Sequence, residues 1–132
     1  MLSYFRPLCI LAITIFVLAG CTSKTGPKVI VELTYTNASD DKKLHYANVI
    51  SGEDKFHWYE IPSNQTKTIT LYPGKQSLNQ ITLFYRYSKN NPMEVWEGPE
   101  VQTDQGYRIQ ITIHKSGEIT NRSCKLPCEL KP

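Results

Sequence analysis

The chain lacks nearly everything that marks an enzyme or a nucleic-acid binder. Its three histidines, His45, His57 and His114, are never two or four residues apart, the spacings that aim two rings at one metal from a strand or a helix. No glycine-rich phosphate loop is present: Pro73-Gly74-Lys75 lacks the other glycines and the helix that should follow. No serine sits in a nucleophile elbow, and Ser116-Gly117 has turn chemistry instead. The acids are scattered, so nothing selects a pair for acid–base work. No run of like charge exceeds two residues (Asp40-Asp41, Lys42-Lys43), and the net charge is only +3. That is too small and too dispersed for a nucleic-acid surface. The expectation is a protein that is not an enzyme, with no catalytic residue, no metal, no cofactor and no nucleic-acid partner.

The one long apolar run stands at the N-terminus. Residues 1–7 carry one cation, Arg6, and no acid; residues 8–19 are apolar apart from Thr14. This is the pattern of a secretory signal peptide. A membrane-spanning helix needs roughly 20 apolar residues. Here the run ends at Gly20-Cys21 and turns polar at Thr22-Ser23-Lys24-Thr25.

Leu18-Ala19-Gly20-Cys21 resembles the lipobox of bacterial lipoproteins at every position. The resemblance covers the leader and the anchor residue alone. It implies cleavage before Cys21, a diacylglycerol thioether on Cys21 and acylation, such as palmitoylation, of the new amino group. Several acyl chains, at about 0.8 kcal/mol per buried methylene, anchor stably where one does not. The family's sorting rule, with Thr22 rather than Asp after the cysteine, points to the periplasmic face of the outer membrane. The expected organisation is a cleaved signal peptide (1–20), a lipidated tether (21–27) and one domain (28–132). A tether of about six residues reaches at most about 20 Å, which keeps the domain near the membrane.

Of 132 residues, removing 20 leaves 112; Arg6 leaves with them, so fifteen Lys and Arg become fourteen against twelve acids. A chain of this length forms one domain and buries roughly two-thirds of its unfolded surface. With Cys9 in the leader and Cys21 on lipid, Cys124 and Cys128 remain, an even count that favours a disulfide in an oxidising compartment. A ring of five residues restrains the unfolded chain by only about 2 kcal/mol. Its expected role is local, holding Leu126 and Pro127 against the domain edge. The Cys-x-x-x-Cys spacing also resembles that of the Sco copper chaperones, which add a histidine. Soft thiolates select Cu(I), and His45, His57 or His114 would be the candidates. That motif, however, belongs to a thioredoxin-like α/β fold, and no βαβ pattern occurs here.

The mature chain has no apolar pattern at helical spacing longer than about two turns. It alternates with period two instead. Val29, Val31, Leu33 and Tyr35 share one face; Leu44, Tyr46, Asn48 and Ile50 form a weaker set. Residues 56–61 and 66–72 follow, then the strong sets Ile81, Leu83, Tyr85, Tyr87 and Tyr107, Ile109, Ile111, Ile113. Met93 to Trp96 makes a short strand ahead of Gly98-Pro99, and Ser116-Gly117 closes a hairpin into residues 118–120. Seven or eight strands at this spacing predict an all-β fold, a small antiparallel β-sandwich, immunoglobulin-like or transthyretin-like. Asp104-Gln105-Gly106-Tyr107 resembles the tyrosine corner of immunoglobulin-like domains. Three Asn-x-Ser/Thr triplets begin at Asn37, Asn64 and Asn121 and are expected to serve turns.

The aromatics are the functional hint. His57-Trp58-Tyr59 and Phe84-Tyr85-Arg86-Tyr87 put rings on both faces of their strands, and Trp96 adds another. If Phe56 and Trp58 point inward, His57 and Tyr59 are exposed; the opposite register exposes Trp58. Exposed rings stack on sugars or anchor protein interfaces. Trp58, Tyr59 and Trp96 are the candidate partner-binding residues. The expected function is a non-catalytic binding or assembly module, membrane-anchored through its N-terminal lipid and holding an envelope protein partner. The alternative is an inhibitor or immunity lipoprotein against a lytic envelope enzyme. The oligomeric state is open.

Overall fold

The computed structural model describes residues 26–74, 78–102 and 105–130. The leader, residues 18–21 and the tether as far as residue 25 lie outside the described residues, as does Asp104 of the corner motif.

Eight strands follow one another with no helix among the described residues: β1 (Val29–Thr36), β2 (Lys43–Ser51), β3 (Asp54–Pro62), β4 (Thr66–Leu71), β5 (Leu78–Arg86), β6 (Glu94–Gln102), β7 (Tyr107–His114) and β8 (Ile119–Lys125). They form two four-stranded sheets, ordered β4-β1-β7-β8 and β3-β2-β5-β6. The fold is the small all-β sandwich that the period-two alternation predicts. One pair is not antiparallel: β1 and β7 run parallel, from Val29 opposite Tyr107 to Thr36 opposite His114. Parallel neighbours need a long connection, and five strands separate these two in the chain. In an immunoglobulin constant domain the first strand shares a sheet with the second. Here β1 and β2 lie in opposite sheets, so the strand order departs from that of a constant domain.

The core comes from the inward residues of the central strands. Val29, Val31, Leu33 and Tyr35 of β1 and Ile109, Ile111 and Ile113 of β7 face Leu44, Ala47 and Val49 of β2 and Ile81, Leu83 and Tyr85 of β5. Strands flanked on both sides lose both edges to neighbours, so their inward side chains reach zero or near-zero exposure. Replacing one such Leu or Ile by Ala costs about 2–5 kcal/mol.

Turn chemistry fixes the ends. Gly52 (φ 57°) and Gly117 (φ 93°) take left-handed conformations in the β2–β3 and β7–β8 hairpins. Asn37 is buried; its Oδ1 accepts from Ser39 N at 3.0 Å and its Nδ2 donates to Tyr35 Oη at 3.0 Å. Asn64, at φ 63°, donates from Nδ2 to Asn37 O at 2.8 Å and to Asp40 at 2.7 Å. Both asparagines thus serve turns, locking the β1–β2 connection to the β3–β4 connection, while Asn121 lies on β8.

Two local readings of the sequence are corrected. β6 does not stop at Gly98-Pro99 but runs through it to Gln102, with a register shift opposite Gln80 to Thr82. β6 is an edge strand, where proline's missing N–H removes no ladder bond on the solvent side. In β2, Leu44 does not share a face with Tyr46, Asn48 and Ile50; it is buried together with Ala47 and Val49. The phase slips by one residue between Leu44 and Ala47, and β3 slips with it, between Trp58 and Ile61.

Candidate interaction face

The slip places both His45 and Tyr46 on the outside of β2, opposite Tyr59 and Glu60 of β3. Glu60 absorbs the extra residue at φ 52°, a left-handed conformation that costs a non-glycine residue roughly 1–2 kcal/mol. The result is a cluster of four rings at one corner of the sheet. Tyr46 and Tyr59 have centroids 5.1 Å apart, His57 and Tyr59 5.3 Å, Tyr46 and His57 6.0 Å, and His45 and Tyr59 6.4 Å. Nδ1 of His45 lies 2.7 Å from Oε1 of Glu60 and donates to that carboxylate.

The remainder of the outer face follows from the register. Three cross-strand rows run from β3 to β6. The first is Lys55, Ile50, Thr82 and Glu97; the second is His57, Asn48, Phe84 and Val95. The third is Tyr59, Tyr46 and Arg86, completed by Met93, which lines a cavity of about 200 Å³ with His45, Tyr46, Tyr59 and Arg86. Tyr59 is 63% exposed, Val95 55% and Met93 40%. Adjacent large apolar groups of this kind mark contact surfaces, whereas a scattered few would not. Asn48 Oδ1 and Arg86 Nε, both on this face, are shielded from solvent with no hydrogen-bond partner among the described residues. The neighbouring rings and aliphatic groups have already stripped their water.

The opposite sheet is built differently. Its outward residues are Thr66, Thr68 and Thr70 of β4, Ile30, Glu32, Thr34 and Thr36 of β1, and Arg108, Gln110, Thr112 and His114 of β7. Several of their polar groups bond to one another. Arg108 donates to Glu32 Oε1 in an ion pair, Gln110 Nε2 donates to Glu32 Oε2 at 2.8 Å, and Arg122 donates to Gln110 Oε1 at 2.7 Å. Thr34 and Thr66 share a bond of 2.8 Å, and both ring nitrogens of His114 lie 3.0 Å from threonine hydroxyls, those of Thr36 and Thr120. Much of the polar surface on this face is thus bonded to the face itself.

The three aromatics singled out from sequence are therefore separated. Trp58 and Trp96 are half-buried and pack against the core, and the Trp96 indole lies over Gly98, where a Cβ would come within 2.6 Å of it. Tyr59 alone of the three stands on the outer face. Tyr46, Phe84, Met93 and Val95 complete that face. Their signal was in the sequence, as rings and apolar residues alternating with buried ones, but choosing the face needed the register.

Cys124 and Cys128 form the expected disulfide, with Cα atoms 6.2 Å apart. The ring is tied to the body: Leu126 N donates to Gly106 O at 2.8 Å, Arg108 Nε donates to Cys128 O at 3.2 Å, and Leu126 is half-buried against Gly106. An open shelf of about 680 Å³ lies beside this ring, lined by Lys28, Ile30, Arg108, Leu126, Pro127, Cys128 and Glu129. It lies on the polar sheet. His114 lies far from the ring: Cys124 pairs with Arg108 at the start of β7 and His114 ends that strand, about 20 Å away at 3.3 Å per residue, while His45 and His57 belong to the other sheet. Among the described residues no group of three His, Cys, Asp or Glu could hold a metal. Tyr107 packs against the core edge. Between the sheets, the Tyr87 hydroxyl donates to His114 O at 3.3 Å; desolvation, then the neighbouring phenol of Tyr85, pushes its pKa up to about 12.

No family model, no curated protein and no solved structure matches the chain.

Proposed function

We propose that the protein is an outer-membrane lipoprotein, anchored through Cys21, whose sandwich is a non-catalytic binding module of an envelope complex. The outer face of β3-β2-β5-β6 is the binding surface. The observation that carries this reading is the contrast between the two outer faces: one is threonine-rich and crossed by its own side-chain hydrogen bonds, the other carries the exposed Tyr59, Met93 and Val95 beside half-buried Tyr46 and Phe84. Burying apolar surface gives about 25 cal/mol per Å², so a partner gains from the second face and little from the first. The Cys21 anchor confines the domain to the membrane surface, which raises its effective concentration for a partner in the same layer. A second function class, inhibition of a lytic enzyme, would use a protruding loop. The patch lies on strands, which favours the binding module.

The test uses two variants of the full chain. Cys21→Ser is expected to leave the protein unprocessed and out of the detergent phase. Tyr59→Asp with Phe84→Asp is expected to keep the chain folded and anchored while its complexes in native membranes disappear. Complexes that survive the second variant contradict the choice of face; unchanged membrane association of the first contradicts the anchor.

A further inference from the structure

We propose that the partner on the outer face of β3-β2-β5-β6 is a second copy of this chain, docked face to face about a two-fold axis that runs parallel to the strands between β2 and β5. The inference rests on the reading of that face as the binding surface and adds what covers it.

The order of residues in the rows carries it. Closed homodimers are built from self-complementary patches. A two-fold axis parallel to the strands lays β3 of one copy over β6 of the other and β2 over β5, with each row meeting its own copy. Lys55 and Glu97 end the same row at opposite edges of the face. The operation sets Lys55 opposite Glu97 of the partner copy, twice. In the third row Tyr46 meets Arg86, a cation over a ring, and Tyr59 meets Met93, a sulfur against a ring. In the second row His57 meets Val95 and Asn48 meets Phe84. No row sets like charge against like. Sheets that pack face to face align to within about 30° with their side chains interdigitated, which keeps these partners in register over three rows.

The size of the patch predicts the strength. Four strands about 4.8 Å apart and three rows about 6.8 Å apart cover roughly 400 Å² per copy, about half of a standard interface. The dimer is weak in dilute solution and is populated where copies share a membrane.

The test mixes two full-length copies with different tags in one envelope, Lys55→Cys in one and Glu97→Cys in the other, treated with a short bis-maleimide. The proposal expects a cross-linked pair of the two tagged copies, several-fold above the same-site mixtures, because two copies of position 55 lie on opposite edges of the interface. Adding Phe84→Asp to either copy abolishes the product while the thermal unfolding transition is retained. Absence of the mixed product, equal products from same-site mixtures, or a product with a different protein each overturns the proposal. The last of these leaves the binding face standing. Loss of membrane complexes in the Tyr59→Asp, Phe84→Asp chain tests the face independently.

Discussion

Trp58 and Tyr59, neighbours in the chain, stand on opposite faces of one sheet: Trp58 packs against the core and Tyr59 is 63% exposed. That division separates a residue that holds the domain together from one on the proposed binding face. Trp58→Ala is expected to lower stability by about 2–3 kcal/mol, short of the 3–5 of a fully buried ring, and the melting temperature by roughly 10 °C or more. Tyr59→Ala is expected to shift stability by less than about 1 kcal/mol. Thermal unfolding of the two variants side by side decides the assignment, and equal losses would contradict it.

Glu60 holds φ at 52° so that His45, Tyr46 and Tyr59 can all face outward. Glycine adopts this conformation freely. Glu60→Gly therefore relieves about 1 kcal/mol of strain and loses only an exposed contact to His45, worth at most a few tenths. It is expected to be neutral or stabilising. Glu60→Val is expected to destabilise by more than about 1 kcal/mol, since a β-branched residue tolerates the left-handed region worst. Denaturant unfolding midpoints measure both, and a glycine variant less stable than the valine variant would refute the account of the slip.

The C-terminal ring is docked through Leu126 on Gly106, where an added Cβ would approach Leu126 Cδ1 to 2.7 Å and Lys28 O to 3.1 Å. Gly106→Ala is expected to cost about 1–3 kcal/mol by overpacking, and clearly less in a Leu126→Ala background. A double-mutant cycle reads the coupling directly; additive costs would show that the two residues do not press on each other. Replacing both Cys124 and Cys128 by Ser is expected to cost about 2 kcal/mol and to leave the sandwich folded.

Tyr87 links the pH response to the packing of the two sheets. Its pKa is raised from 10.0 to about 12, first by burial and then by the adjacent Tyr85, whose own pKa burial also raises. A raised pKa means that the neutral phenol is favoured in the folded state. The stability this contributes is complete below pH 10 and is lost as pH rises from 10 toward about 12. Unfolding measured through that window should show a loss that Tyr87→Phe reduces. A loss unchanged by Tyr87→Phe would assign the alkaline sensitivity to other groups.

The sandwich was legible in the chain because its core strands alternate so strictly. Val29, Val31, Leu33 and Tyr35, with Ile109, Ile111 and Ile113, announce an inner face without any tertiary information. The Ser116-Gly117 hairpin was equally plain, since glycine supplies the left-handed turn residue found there, Gly117 at φ 93°. The proposed binding face was only half legible. Its rings were visible, but Trp58 and Tyr59 could exchange roles with a one-residue shift of register, and the deciding slip at Glu60 leaves no mark in residue type. Gly98-Pro99 looked like a strand end because its chemistry is that of a turn; an edge strand tolerates it. Which strands share a sheet depends on pairings as distant as Val29 with Tyr107, and alternation says nothing about those.

One outer face, and not the other, is proposed to meet a partner at the membrane. A photo-reactive amino acid placed at position 59, and separately at position 68 on the threonine-rich face, in the full chain in intact envelopes tests it most directly. A discrete cross-linked product is expected from position 59 and none from position 68. A product from position 68 alone, or equal products from both, would contradict it.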